Sequence, residues 1–96
     1  MSIVTVVARI EAKKDKIEFV KEELLKLIKP TKQDDGYIQY DLHQDNENPA
    51  IFVFYENWEN EEFLDKHLGT KHLTDYIKAT DGSVISFTVN KMTKIS

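Results

Sequence analysis

The sequence predicts a single α+β domain of the ferredoxin-like class, a β-α-β-β-α-β chain folded into a four-stranded antiparallel sheet with both helices on one face. Three observations lead there. Apolar residues alternate with a period of two in four segments and recur with a helical period in two others, in that order. A tight cluster of turn formers separates the middle two strand segments. A chain of 96 residues with 41% hydrophobic content accommodates one core, so residues 1–96 are read as one domain.

The first strand is expected over Ile3 to Glu11, where IVTVVARIE is rich in β-branched residues and carries apolar side chains on both faces. From about Lys14 to Lys29 the residues Ile17, Val20, Leu24, Leu27 and Ile28 form one helical stripe, which Pro30 should terminate. The polar run TKQDDG then reads as a loop. Tyr37 to Gln44 and Ile51 to Trp58 read as strands joined by DNENP in a hairpin. A second helix is expected from Glu61 to Leu68, with Asn60 as N-cap and a break at Gly69. A further helical turn carries Leu73, Tyr76 and Ile77, and Gly82 introduces a last strand from Val84 to Lys91.

Composition narrows the function. Thirteen Lys and Arg against seventeen Asp and Glu give a formal charge of −4 without a basic block, which disfavours nucleic acid as a partner. No long apolar run or leader pattern is present, so the expected setting is cytoplasmic, away from membranes. The absence of cysteine excludes disulfides and thiolate chemistry. Helices on one side leave the other face of an apolar sheet uncovered, and a domain this small buries only roughly 60% of its unfolded surface. A homodimer with sheets packed face to face is therefore expected.

The candidate site residues fall on the third strand and second helix. His67 shares a helix face with Phe63, Leu64 and Leu68 and points to the core, either as a proton acceptor or as a core histidine joining helix to strand. Glu56 and Trp58 share a strand face with Phe52 and Phe54. The carboxylate is placed to orient His67 or accept a substrate hydroxyl, and the indole to stack on a flat ring or to close the core. His72, beyond Gly69, is read as a cap, a pocket-mouth residue or a surface residue. His67 and His72 lack the i, i+4 spacing that directs two imidazoles to one ion, so no metal site is expected. Tyr76 is a further candidate for the pocket, Tyr40 is read as core, and His43 lies with Tyr37, Gln39 and Asp41 on the polar face of the second strand.

IVTVVARIEAKKDK, DDGYIQYDLHQDNENPAIFVFYENW and EEFLDKHLGTKHLTDY together resemble the antibiotic biosynthesis monooxygenase family over nearly the whole chain, most specifically in YENW followed by DKHL and TKHL. The resemblance implies a dimeric α+β barrel and oxidation of a small aromatic or quinol by molecular oxygen with no added cofactor. On the placement of polar groups among aromatics, His67, Glu56 and Trp58 are the catalytic candidates and Phe54, His72, Tyr76 and His43 the candidates for substrate binding. The family also holds haem-degrading enzymes and an isomerase. Where the haem-degrading members carry a first-strand asparagine, this chain has Ala8, which places haem degradation behind the cofactor-independent reading. A non-catalytic, small-molecule-binding barrel is the alternative from another class.

Overall fold

The computed structural model describes residues 2–96. Strands β1 (Val4–Ala12), β2 (Tyr37–Gln44), β3 (Ile51–Trp58) and β4 (Val84–Met92) form one sheet in the order β2-β3-β1-β4, antiparallel throughout. Helices α1 (Ile17–Leu25), α2 (Ile28–Thr31), α3 (Glu61–Leu68) and α4 (Lys71–Ala79) complete the predicted ferredoxin-like class. Both middle strands and α3 fall on the expected bounds. Asn60 caps α3 by accepting from the Phe63 N–H at 3.1 Å.

The first helix differs from expectation. A 3-10 turn at Lys14–Lys16 precedes α1, and the chain restarts as α2 with Pro30 inside it. Proline has no N–H to return to the Lys26 carbonyl, so the ladder breaks a turn earlier than a simple stop would place it. At the third position of a new helical turn that missing donor costs nothing.

The core lies between sheet and helices. Val6, Ala8 and Ile10 of β1 and Phe52, Phe54 and Trp58 of β3 meet Val20 and Leu24 of α1, Leu64 of α3 and Leu73 of α4. Strand β2 departs from strict alternation. Tyr37 pairs with Trp58 while Gln39 pairs with Asn57, so Ile38 is an extra residue in a β-bulge. The bulge turns Tyr37 to the core, edge-on to Trp58 at 6.5 Å, and leaves Ile38 exposed, reversing the expected faces of these two residues.

On the opposite face, Val7, Ile51, Val53 and Tyr55 lie beside a polar chain across three strands. Thr5 donates to Asn57 at 2.6 Å, Asn57 to Gln39 at 2.8 Å, and Gln39 to Asp41 at 2.8 Å. At the edge, Phe87 and Val89 of β4 pair with Ile10 and Ala8 but remain exposed, because no helix lies over them.

The loop before β2 is fixed by a close approach. Gly36 has φ +78°, its carbonyl accepts from the Glu59 N–H at 2.9 Å, and a Cβ there would overlap the Phe63 ring. Gly82 has a similar φ of +80° with open space around it. Gly36→Ala should therefore cost roughly 2–5 kcal/mol from backbone strain plus overlap, and Gly82→Ala about 1 kcal/mol from the backbone alone. Urea unfolding of both variants checks this, and equal losses would remove the packing argument.

Candidate functional site

A cavity of about 400 Å³ lies between the sheet and the helices. Val6, Ala8 and Ile10 line it from β1, and Leu24, Leu64 and Leu73 from the helices. Tyr40, Glu56, His67 and Tyr76 bring polar atoms to this apolar wall, and exposed Leu68, Ile77 and Phe87 surround the opening. This is the arrangement of a small-molecule site: apolar walls with a few convergent polar groups.

His67 reaches the cavity because α3 is amphipathic and turns Leu64 and His67 inward, leaving His67 only 2% exposed. Its Nδ1 lies 2.8 Å from Asp34 Oδ2. A carboxylate only accepts, so the proton of this contact resides on Nδ1, and Nε2 keeps its lone pair. Nε2 makes no hydrogen bond among the described residues. The ring packs against Trp58 at 4.5 Å and meets the edge of Tyr40 at 5.5 Å. Burial pulls its pKa below the ordinary 6.5, and the Asp34 contact only partly offsets this. The imidazole is therefore neutral at neutral pH, the form a base requires.

Glu56 is 5% exposed, and its Oε1 accepts from Trp58 Nε1 at 2.9 Å. Burial pushes its pKa up to about 7, against the opposing effect of the Trp58 hydrogen bond. Beside it, Tyr40 stacks on Phe54 with centroids 4.4 Å apart, and burial and then the Glu56 charge push its phenol well above the usual range.

Several expected placements are corrected by this geometry. Glu56 is not the group that orients His67; Asp34 is, from the loop before β2. Trp58 is fully buried behind the cavity wall and does not line it, so it acts by holding Glu56 and backing His67. His72 neither caps a helix nor lines the cavity. Thr70 caps α4, and His72 Nε2 turns to the same Asp34 Oδ2 at 3.0 Å. His43 lies on the opposite face of the sheet, exposed and 3.4 Å from the Val53 carbonyl. Phe54 and Tyr76 do line the cavity, and so does Tyr40, which the strand pattern assigned to the core alone. Ala8 offers the cavity only a methyl group.

Among the described residues no helix is long and apolar enough to cross a membrane. The sequence profile described as antibiotic biosynthesis monooxygenase matches residues 3–79. An uncharacterised protein of Synechocystis sp. is 30% identical over 79 residues, covering 78% of this chain and 51% of that protein, so the chain spans about half the length of this curated relative. A protein from Pseudomonas aeruginosa superposes with TM-score 0.94 at 25% identity, over 100% of this chain and 97% of that one. A structure described as an antibiotic biosynthesis monooxygenase gives 0.90 at 29% identity, over 97% and 99%. A conserved protein from Methanosarcina mazei gives 0.89 at 27% identity, over 99% and 95%.

The raised pKa of Glu56 has a signed consequence for stability. Between its ordinary 4.5 and about 7 the folded chain holds a proton that the unfolded chain has lost, so stability through this group falls as pH rises. Glu56→Gln should abolish that slope, so the difference profile between parent and variant carries about 1.4 kcal/mol per pH unit across this window. Urea midpoints measured from pH 4 to 8 for both proteins check it; parallel profiles would contradict the buried, raised carboxyl.

Proposed function

Because the chain belongs to the antibiotic biosynthesis monooxygenase family, we propose that it is a cofactor-independent monooxygenase that oxidises a small aromatic, quinol-type substrate with molecular oxygen, as a homodimer. The observation that carries this reading is a buried neutral imidazole whose Nδ1 is held by Asp34 while its ring lines an apolar cavity. His67 Nε2 accepts the proton of a substrate hydroxyl, and Asp34 stabilises the imidazolium that results. The substrate anion is electron-rich and passes an electron to oxygen. Superoxide and the substrate radical recombine at a ring carbon that bears hydrogen, giving a hydroperoxide. Its O–O bond breaks as that carbon gives up its hydrogen, so one oxygen atom departs as water and the other stays as a new carbonyl. A phenol leaves as the quinone and a quinol as the hydroxyquinone. Substrate supplies all the electrons, and no co-reductant is consumed.

Glu56, near half-protonation at pH 7, is the proton source for the departing oxygen. Phe54 and Tyr40 give the flat ring a stacked wall. Val7, Ile51, Val53 and Tyr55 on the far face of the sheet support pairing with a second copy of the chain.

Oxygen uptake with a panel of reduced quinols, with labelled oxygen to follow incorporation, tests the reading. His67→Ala should lower kcat/KM on the order of 10²–10⁴-fold, the range of a general base. In the parent chain the acid limb of kcat/KM should lie below the ordinary imidazole pKa of 6.5, since burial favours the neutral ring. Uptake unchanged by His67→Ala would remove His67 from the reaction, and tight retention of aromatics without turnover would favour the binding-module reading.

A further inference from the structure

Asp34, His67 and His72 form a second constellation behind the cavity, and the proposed reaction uses only two of them. One ligand atom from each of Asp34, His67 and His72 lies within 4.8 Å of the other two. The two imidazole contacts to Asp34 Oδ2 are 2.8 and 3.0 Å, and the ring centroids are 5.9 Å apart. The helix break creates this convergence. Thr70 restarts the chain as α4, which turns His72 back toward the loop that carries Asp34, and sequence spacing between the histidines no longer governs where they point.

We propose that Asp34, His67 and His72 bind one divalent transition cation of the zinc class, and that its binding turns His67 Nε2 from a proton acceptor into a donor. Two imidazoles and one carboxylate are the ligand types this class prefers, and three protein ligands leave a fourth position for water. In a tetrahedral site with bonds of about 2.0–2.1 Å, ligand atoms stand roughly 3.3 Å apart. The cluster reaches that geometry by opening the two Asp34 contacts roughly 0.3–0.5 Å while the imidazoles close onto the ion. Asp34 is on a loop and both it and His72 are partly exposed, so these two can shift while His67 stays fixed by Trp58. A surface depression of about 180 Å³, bordered by Glu23, Lys26 and Asp75, with Glu23 paired to Lys26 and Asp75 to Lys71, reaches His72 and offers a path from solvent.

The consequence for the cavity follows from proton bookkeeping. Coordination needs the lone pairs of His67 Nδ1 and His72 Nε2, so the proton that each now gives to Asp34 moves to the other nitrogen of its ring, Nε2 in His67 and Nδ1 in His72. No net proton is released by a neutral ring. The nitrogen free to serve the cavity then carries hydrogen and cannot accept a substrate proton. This last consequence rests on the reading of His67 as the base; the binding of the ion does not.

Cobalt(II) titration of the full chain, after chelator treatment and without substrate, tests the site. One equivalent should bind with visible d–d absorption and be displaced by zinc. Asp34→Asn and His72→Gln should each weaken binding at least tenfold, and His43→Gln, which alters only the exposed histidine on the far face, should not. Nitrogen-detected NMR should show His67 Nε2 as an acceptor in the metal-free protein and as N–H with zinc bound. His72→Gln changes a partly exposed side chain, and circular dichroism confirms that it remains folded. Equal cobalt affinity for the parent and the Asp34→Asn, His72→Gln double variant, loss of binding through His43→Gln, or no binding at millimolar cobalt would each overturn the site. Zinc binding that leaves His67 Nε2 unprotonated would overturn the tautomer change.

Discussion

The contact between Asp34 and His67, made across 33 residues at 2.8 Å, is the constraint on which the site depends. It joins a polar loop to the buried face of α3 and fixes which nitrogen of the ring holds hydrogen. The loop can present Asp34 there because Asp34 N–H bonds to the Thr31 carbonyl, Gly36 adopts a left-handed conformation, and Phe63 packs where a side chain would otherwise stand. Backbone conformation at one glycine thus reaches, through two turns of loop and helix, the protonation pattern of the cavity.

One physical cause sets the electrostatics of the interior. Withdrawal from water disfavours charge of either sign, so it lowers the His67 pKa and raises that of Glu56. Both groups move toward neutrality, so they bring little fixed charge to the cavity wall. Trp58 moderates this for Glu56 by giving its anion a donor, while the flat face of the indole supports the imidazole. The indole therefore supports two buried titratable groups without itself lining the cavity they border.

Much of the fold was legible because it is local. Alternation marked β2 and β3 to the residue, Asn60 and Gly69 bracketed α3, and the row Phe52, Phe54, Glu56, Trp58 faces the core as its two-residue spacing requires. The inward turn of His67 was also readable from its helix neighbours. What periodicity could not convey was contact between distant segments. Asp34 sits in a run of polar loop residues with no pattern to distinguish it, and only the tertiary fold brings it to His67. Alternation puts Tyr37 on the polar face, and the bulge at Ile38 that turns it to the core has no marker within the strand itself. The contact of His72 with Asp34 is likewise not written in the sequence, because residues on either side of a helix break no longer obey a common period.

That break is only two residues, Gly69 and Thr70, and both are committed. The Gly69 N–H bonds to the Lys66 carbonyl, and Thr70 donates its N–H and hydroxyl to His67 O while accepting from Leu73. A joint so fully engaged has no slack for length variation. One added residue would swing α4 by about a quarter of a revolution on a 3.6-residue helix, carrying Tyr76 from the cavity and His72 from Asp34 together. Between α3 and α4 the reading frame of the helix is itself part of the site.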